Sequence, residues 1–157
     1  MEGEYTGHVK DGKVHGVGVC VYTDGSRYQG DWKAGLKCGR GTHSFASGDQ
    51  FEGEWENGWM HGLGVYTWKI GDKYIGEVNF GRIHGFGTYT WRTNSKYVGQ
   101  WKDGRMHGSG VKTDPHGARA DTRTRTRFFF PERYVSCCSV CAQVIYSRAN
   151  GRRASRC

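Results

Sequence analysis

Short runs of alternating aromatic or apolar and polar residues recur along this chain, and they return every 23 residues. In one such run, Phe51-Glu52-Gly53-Glu54-Trp55, alternation puts Phe51, Gly53 and Trp55 on one side and the glutamates on the other, as in a β-strand. Asn57-Gly58 follows, a dipeptide that tolerates positive φ in a tight hairpin turn. A second β-prone run comes next, His61-Gly62-Leu63-Gly64-Val65-Tyr66-Thr67-Trp68. Each unit thus predicts one hairpin, and no segment of residues 1–117 carries the period of a helix.

Five units open at Tyr5, Tyr28, Phe51, Tyr74 and Tyr97, and 24 of the 26 glycines sit at fixed places behind those aromatics. Asp11-Gly12 and Asp103-Gly104 repeat the tight-turn chemistry. A second turn falls at Gly25, Gly48, Gly71 and Gly117, with Asn94 in the one remaining slot, and Asn is the residue besides glycine that best accepts positive φ. Glycine inside a strand costs stability, so a regular set of them implies a purpose. The purpose we read is room for a ring from a neighbouring strand to lie against the backbone. Tyr28/Trp32, Phe51/Trp55 and Tyr97/Trp101 would supply rings from the first strands, and Tyr22, Phe45, Trp68 and Trp91 from the second. A lone hairpin is marginal in water, and stacking five would bury what each leaves open. The expected fold is all-β: an elongated single-layer antiparallel sheet of stacked hairpins, about ten short strands, spanning residues 1–117.

Units of the form Tyr-x-Gly-x-Trp-x-x-Gly-x-x-His-Gly-x-Gly resemble MORN repeats (membrane occupation and recognition nexus), and the resemblance covers residues 5–117. Val9 and Val78 depart from it at the first-strand Trp, Cys38 at the histidine and Phe51 at the opening Tyr. The resemblance implies hairpin arrays that act as scaffolds, pair with themselves or with partners, and sit near membranes, cytoskeleton or cilia. Some family members carry a phosphoinositide kinase or a lysine methyltransferase, so a truncated regulatory segment of such an enzyme is the alternative reading. A phosphoinositide- or membrane-binding module is another.

Charge divides the chain in two. Residues 1–117 hold 14 Lys/Arg against 13 Asp/Glu, a net +1, while residues 118–157 hold nine Arg against two acids, a net +7. The second part is expected to be a poorly ordered basic tail, outside the array. Arg123, Arg125 and Arg127 beside Phe128 and Phe129 could contact an anionic membrane; a nucleic-acid arm is the weaker form of that idea. The run Thr-Arg-Thr-Arg-Thr-Arg followed by Phe-Phe-Phe-Pro also suits a mis-spliced or frame-shifted end. Scattered cysteines (Cys20, Cys38, Cys137, Cys138, Cys141, Cys157) form no secreted disulfide framework. With no apolar leader at the start, a cytoplasmic protein is expected, associated with membrane or cytoskeleton.

No catalytic residue, cofactor site or metal site is read from the sequence, and the chain is expected not to be an enzyme. His15, His61, His84 and His107 recur at one place, but equivalent residues of adjacent hairpins lie about 9.5 Å apart, too far to share a zinc ion. They are assigned to packing or hydrogen bonding beside the glycine pair. Gly7 to Lys13 fits the opening of a phosphate-binding loop, yet Val14 stands where its Ser or Thr should be and no helix follows. Glu52, Glu54 and Glu56 are read as a solvated strand face. What remains for a partner is the exposed part of the aromatic and apolar surface, including Trp59, Leu63 and Phe86. The partners expected are other proteins or a second copy, reached through the aromatic face or the open sheet edges, with no small-molecule substrate.

Overall fold

The structure, a computed structural model, describes residues 3–121. Five hairpins follow one another: β1 (Gly3–Lys10) with β2 (Lys13–Tyr22), β3 (Arg27–Lys33) with β4 (Leu36–Ser44), and β5 (Gln50–Glu56) with β6 (Trp59–Thr67). Then come β7 (Lys73–Asn79) with β8 (Arg82–Thr90) and β9 (Lys96–Lys102) with β10 (Arg105–Thr113), and a short β11 (Arg119–Asp121) closes the order. All eleven form one antiparallel sheet in chain order, with β1 and β11 at its edges. The described residues contain no helix, hence none long and apolar enough to cross a membrane.

This is the single-layer array of hairpins that the alternation implies, with one strand more than the ten expected. Ala120 occupies the place of a sixth opening aromatic and still pairs with Lys112, the residue that Tyr97 faces from the other side. The ladder needs only backbone groups, so it continues past Gly117 although the ring is missing.

Turn chemistry follows the sequence at Asn57, Asp11 and Asp103, with φ of 49°, 51° and 50° ahead of glycines that are also positive. Both corners positive is the primed turn whose twist matches the strands it joins. Ala34 and Phe80 take the same conformation at φ 50° and 45°. Neither residue favours it, and the two-residue loop imposes it. Between hairpins, Asn94 at φ 66° donates its backbone N–H to the Trp91 carbonyl (2.8 Å), just as Gly71 does to Trp68 (2.9 Å).

The in-strand glycines line up. Gly18 faces Gly30, Gly30 faces Gly41, Gly41 faces Gly53, and the row runs on to Gly110 across all ten long strands. The opening aromatics lie along that row. A Cβ on Gly41 would sit 2.5 Å from Cζ of Tyr28 and closer still to its hydroxyl, so only glycine admits the ring. Tyr28, Phe51, Tyr74 and Tyr97 are in consequence almost wholly buried on a single-layer sheet.

Candidate functional site

A single layer has two faces, and here they differ in kind. The aromatic face is the core: Tyr28, Trp32, Phe51, Trp55, Tyr66, Tyr74, Tyr89, Tyr97 and Trp101 are buried on it, with Phe45, Trp68 and Trp91 partly buried against them. Rings meet edge-to-face within a unit and across units: Tyr28 lies 5.0 Å from both Trp32 and Trp55. The three first-strand indoles also donate their Nε1–H backwards, Trp32 to the Gly18 carbonyl (3.3 Å), Trp55 to Gly41 (3.0 Å) and Trp101 to Gly87 (3.2 Å). These bonds tie successive hairpins together. The face is thus occupied by the array itself.

A cation sits inside it. Lys37 is 3% exposed, with Nζ 4.8 Å from the Tyr28 ring, 4.9 Å from Trp55 and 5.2 Å from Tyr22. Its ammonium donates to Nδ1 of buried His43 at 3.0 Å, the tautomer following from the lysine's charge. Burial, and then the Lys37 charge, hold the His43 ring far below its ordinary value, at about 3. Burial also drives the Tyr28 and Tyr74 phenols upward. Lys37 went unread in the sequence, although its signal was there: the corresponding residues in the other units, Val14, Met60, Ile83 and Met106, are all apolar.

The opposite face is open to solvent. Leu63 (60% exposed) and Phe86 (56% exposed) stand on it, because Leu63 pairs with Glu77 and Phe86 with Gln100 while the neighbours of those pairs turn to the core. Trp59 follows the same alternation from its pairing with Glu56 but is only half-buried, its ring 3.6 Å from where a Gly81 Cβ would be. The three therefore share a face. Ile75, Val98 and Val111 accompany Leu63 and Phe86 as exposed aliphatic groups.

Carboxylates on this face are not simply solvated. Where the His-Gly-x-Gly segment bulges, the register slips between Gly76 and Val78, and the free Phe86 N–H donates to Glu77 Oε1 (2.9 Å). Asp31 does the same for Arg40 (2.9 Å) and Gln100 for Ser109 (3.0 Å). Glu54 packs its carboxylate against Gly62 at the equivalent bulge, and Glu56 lies 3.4 Å from His61. The reading of Glu52, Glu54 and Glu56 as a solvated row holds for their exposure and fails for the roles of Glu54 and Glu56. An acidic or amide residue three after the opening aromatic was the signal.

The recurring histidines reach the tight turn of the next hairpin. His15 Nδ1 accepts from the Ala34 N–H at 3.5 Å, His61 packs edge-on to Phe80 at 5.5 Å, and His84 lies 3.7 Å from Asp103. Among the described residues no group of three or more His, Cys, Asp or Glu is placed to hold a metal ion. Gly7 to Lys13, the apparent phosphate loop, spans the β1–β2 turn and opens no helix. Cys20 is buried on the aromatic face, and burial raises the Cys38 thiol on the other, which disfavours a Cys38 thiolate. The assignments to Arg123, Arg125, Arg127, Phe128 and Phe129 lie outside the described residues.

Comparison with known proteins gives one strong match. A model of the MORN repeat fits five consecutive stretches, residues 5–27, 28–50, 51–73, 74–96 and 97–119. No curated protein matches the chain. Among solved structures, it is similar to the SAS-4 (dCPAP) TCP domain in complex with a proline-rich motif of Ana2 (dSTIL) of Drosophila melanogaster. The identity is 10% and the TM-score 0.39, over 68% of this chain and 71% of that one.

Proposed function

The chain belongs to the MORN-repeat family, and on that premise we propose that it is a non-enzymatic scaffold that organises protein partners at a membrane or cytoskeletal structure. The family is in general a repeat module for protein or membrane interaction, without catalysis. What carries the reading for this chain is the asymmetry of its single layer. One face is consumed by its own aromatic core, and the other leaves Leu63, Ile75, Phe86 and Val98 about half exposed or more. Exposed apolar side chains gathered on one face, here interspersed with Glu77, Thr88 and Gln100, support an interaction surface. Since each is already about half covered, burying the remainder in a partner is worth about 1 kcal/mol per side chain.

Retention assays with the immobilised full chain test this. A reproducible set of proteins should be held by the wild type and lost in a Leu63→Ser/Phe86→Ser variant whose unfolding midpoint is unchanged. A wild-type chain that stays monomeric and retains nothing above background would sink the proposal.

A further inference from the structure

Charge is unevenly distributed along the array. Residues 24–58 carry four Lys/Arg against six Asp/Glu, a net −2, whereas residues 73–121 carry eight against four, a net +4. Register then decides where the positive charges go. Lys73 pairs with Thr90, Lys96 with Thr113, and Arg119 with Thr113 from the far side, each beside a pair that includes a residue of the aromatic face. Lys73, Lys96 and Arg119 therefore form one line on the open face, two strands apart at each step, or about 9.5 Å. At the other end of the same strands, Lys102 pairs with Arg105 and Asn79 with Arg82, again on the open face. Lys73 to Asn79 and Lys96 to Lys102 are each six residue steps, so the two basic rims stand about 20 Å apart.

Between the rims, apolar side chains alternate with Thr88, which pairs with Ile75 and Val98, and Gln100, which pairs with Phe86 and accepts from the Ser109 N–H. Ile75, Phe86, Val98 and Val111 are 50%, 56%, 47% and 40% exposed. Glu77 interrupts the strip, but its carboxylate is bound to the Phe86 N–H. Asp121 lies at the far end opposite Val111, and Asp103 sits in a tight turn beside His84. Lys112 belongs to the other face, over the Trp91 ring.

We infer that this strip, on units four and five, is the docking groove for an amphipathic helix of a partner protein with acidic residues along both flanks. The inference rests on the scaffold reading and specifies its partner. Dimensions select a helix. An α-helix is about 10–12 Å across, so one lying at right angles to the strands fills the strip and leaves its flanking side chains to span to both rims. Seven helical residues advance about 10.5 Å, close to the step of about 9.5 Å between successive cations, so carboxylates one heptad apart meet successive Lys or Arg. An extended peptide repeats its side chains every ~6.6 Å and reaches only one rim. The helix-in-groove mode supplies apolar anchors at i, i+3, i+4 and i+7 for the strip.

Synthetic helices test the groove on the full chain: three heptads with leucine on one face and glutamate on both flanks, the same peptide with lysine flanks, and a proline-broken glutamate version. Vesicles of phosphatidylcholine and phosphatidylserine serve as the membrane arm. The glutamate-flanked helix should bind in a salt-dependent way and shift the amide resonances of Ile75, Phe86, Val98 and Val111. Lys73→Glu/Lys96→Glu should weaken it by about tenfold or more, while Lys73→Gln/Lys96→Gln loses less. Equal binding of the lysine-flanked or broken peptide, shifts confined to other units, or vesicle binding without peptide binding would each overturn the groove. If a captured protein set survives Lys73→Glu/Lys96→Glu unchanged, the scaffold reading stands and this surface falls.

Discussion

Replacing Lys37 with methionine separates the two reasons for which His43 is held neutral. The Lys37 ammonium is surrounded by Tyr22, Tyr28 and Trp55 and donates to His43. Desolvating an ammonium costs several kcal/mol, and cation–π contacts return about 2 kcal/mol when the pair is dry. Units three and five hold Met60 and Met106 in the same slot, both buried. Lys37→Met is therefore expected to leave stability at pH 7 unchanged or raise it by about 1–2 kcal/mol. Its effect on acid sensitivity is the sharper readout. His43 titrates at 6.5 when unperturbed and at about 3 here, with burial the larger cause, Lys37 the second and Asp24 opposing both. A folded-state value below the unfolded one means the stability is fully present above pH 6.5 and is lost as pH falls from there toward 3. At about 1.4 kcal/mol per pH unit, that window spans roughly 5 kcal/mol at most. Methionine removes the second cause and keeps the first, so the variant should lose about 1 kcal/mol less than the wild type between pH 7 and pH 4.5. Urea unfolding followed by tryptophan fluorescence at both pH values gives the comparison. Parallel pH profiles for the two proteins, or a loss beyond about 2 kcal/mol at pH 7, would show that the cage does not act as described.

Three further substitutions have signs fixed by geometry. Gly41→Ala drives a methyl into the Tyr28 ring and should cost about 2–3 kcal/mol in urea unfolding, whereas a loss under about 0.5 would mean the ring does not rest on that row. Ala34→Asn relieves a left-handed residue at φ 50° and should add about 1 kcal/mol; a lower thermal midpoint would contradict the turn geometry. Trp55→Phe keeps a ring near Tyr28 but strands the Gly41 carbonyl, which should cost about 1 kcal/mol by the same assay, and an unchanged midpoint would speak against the indole bond.

Local chemistry made most of the fold legible. Asn57-Gly58 and Asn94 announce positive φ because few other residues accept it, and the alternation around Phe51 assigns each side chain to a face. What escaped reading depends on pairing between units. Ala34 and Phe80 look like ordinary residues, and only the requirement that their loop match its four sister turns puts them at positive φ. Ala120 lacks the expected ring yet pairs through its backbone. Lys37 reads as a surface charge until the apolar residues of its column are set beside it. Glu54 and Glu77 alternate like solvent-facing acids, and only the bulge on the next strand sets Glu77 to bind a freed amide and Glu54 to pack on Gly62. For the open face, Leu63 and Phe86 were visible as candidates, while the two basic rims were not. Lys73 and Arg119 are far apart in sequence, and register alone sets them in one line.

Val78 has a mechanical consequence. Three of the four junctions between hairpins carry an indole bond to the preceding glycine carbonyl, and valine at this position leaves the junction of β6 with β7 without one. The array's long axis runs across its strands, so a pull between the two ends acts along the backbone hydrogen bonds and loads every seam alike, and the weakest opens first. The seam beside Val78 should part first, yielding two pieces, three hairpins and two, before either unravels. A force–extension trace of the chain held at its ends would show that as its earliest step, and Val78→Trp would move it later. A rod with one preferred seam extends under load at a defined place, as a spacer with a built-in joint.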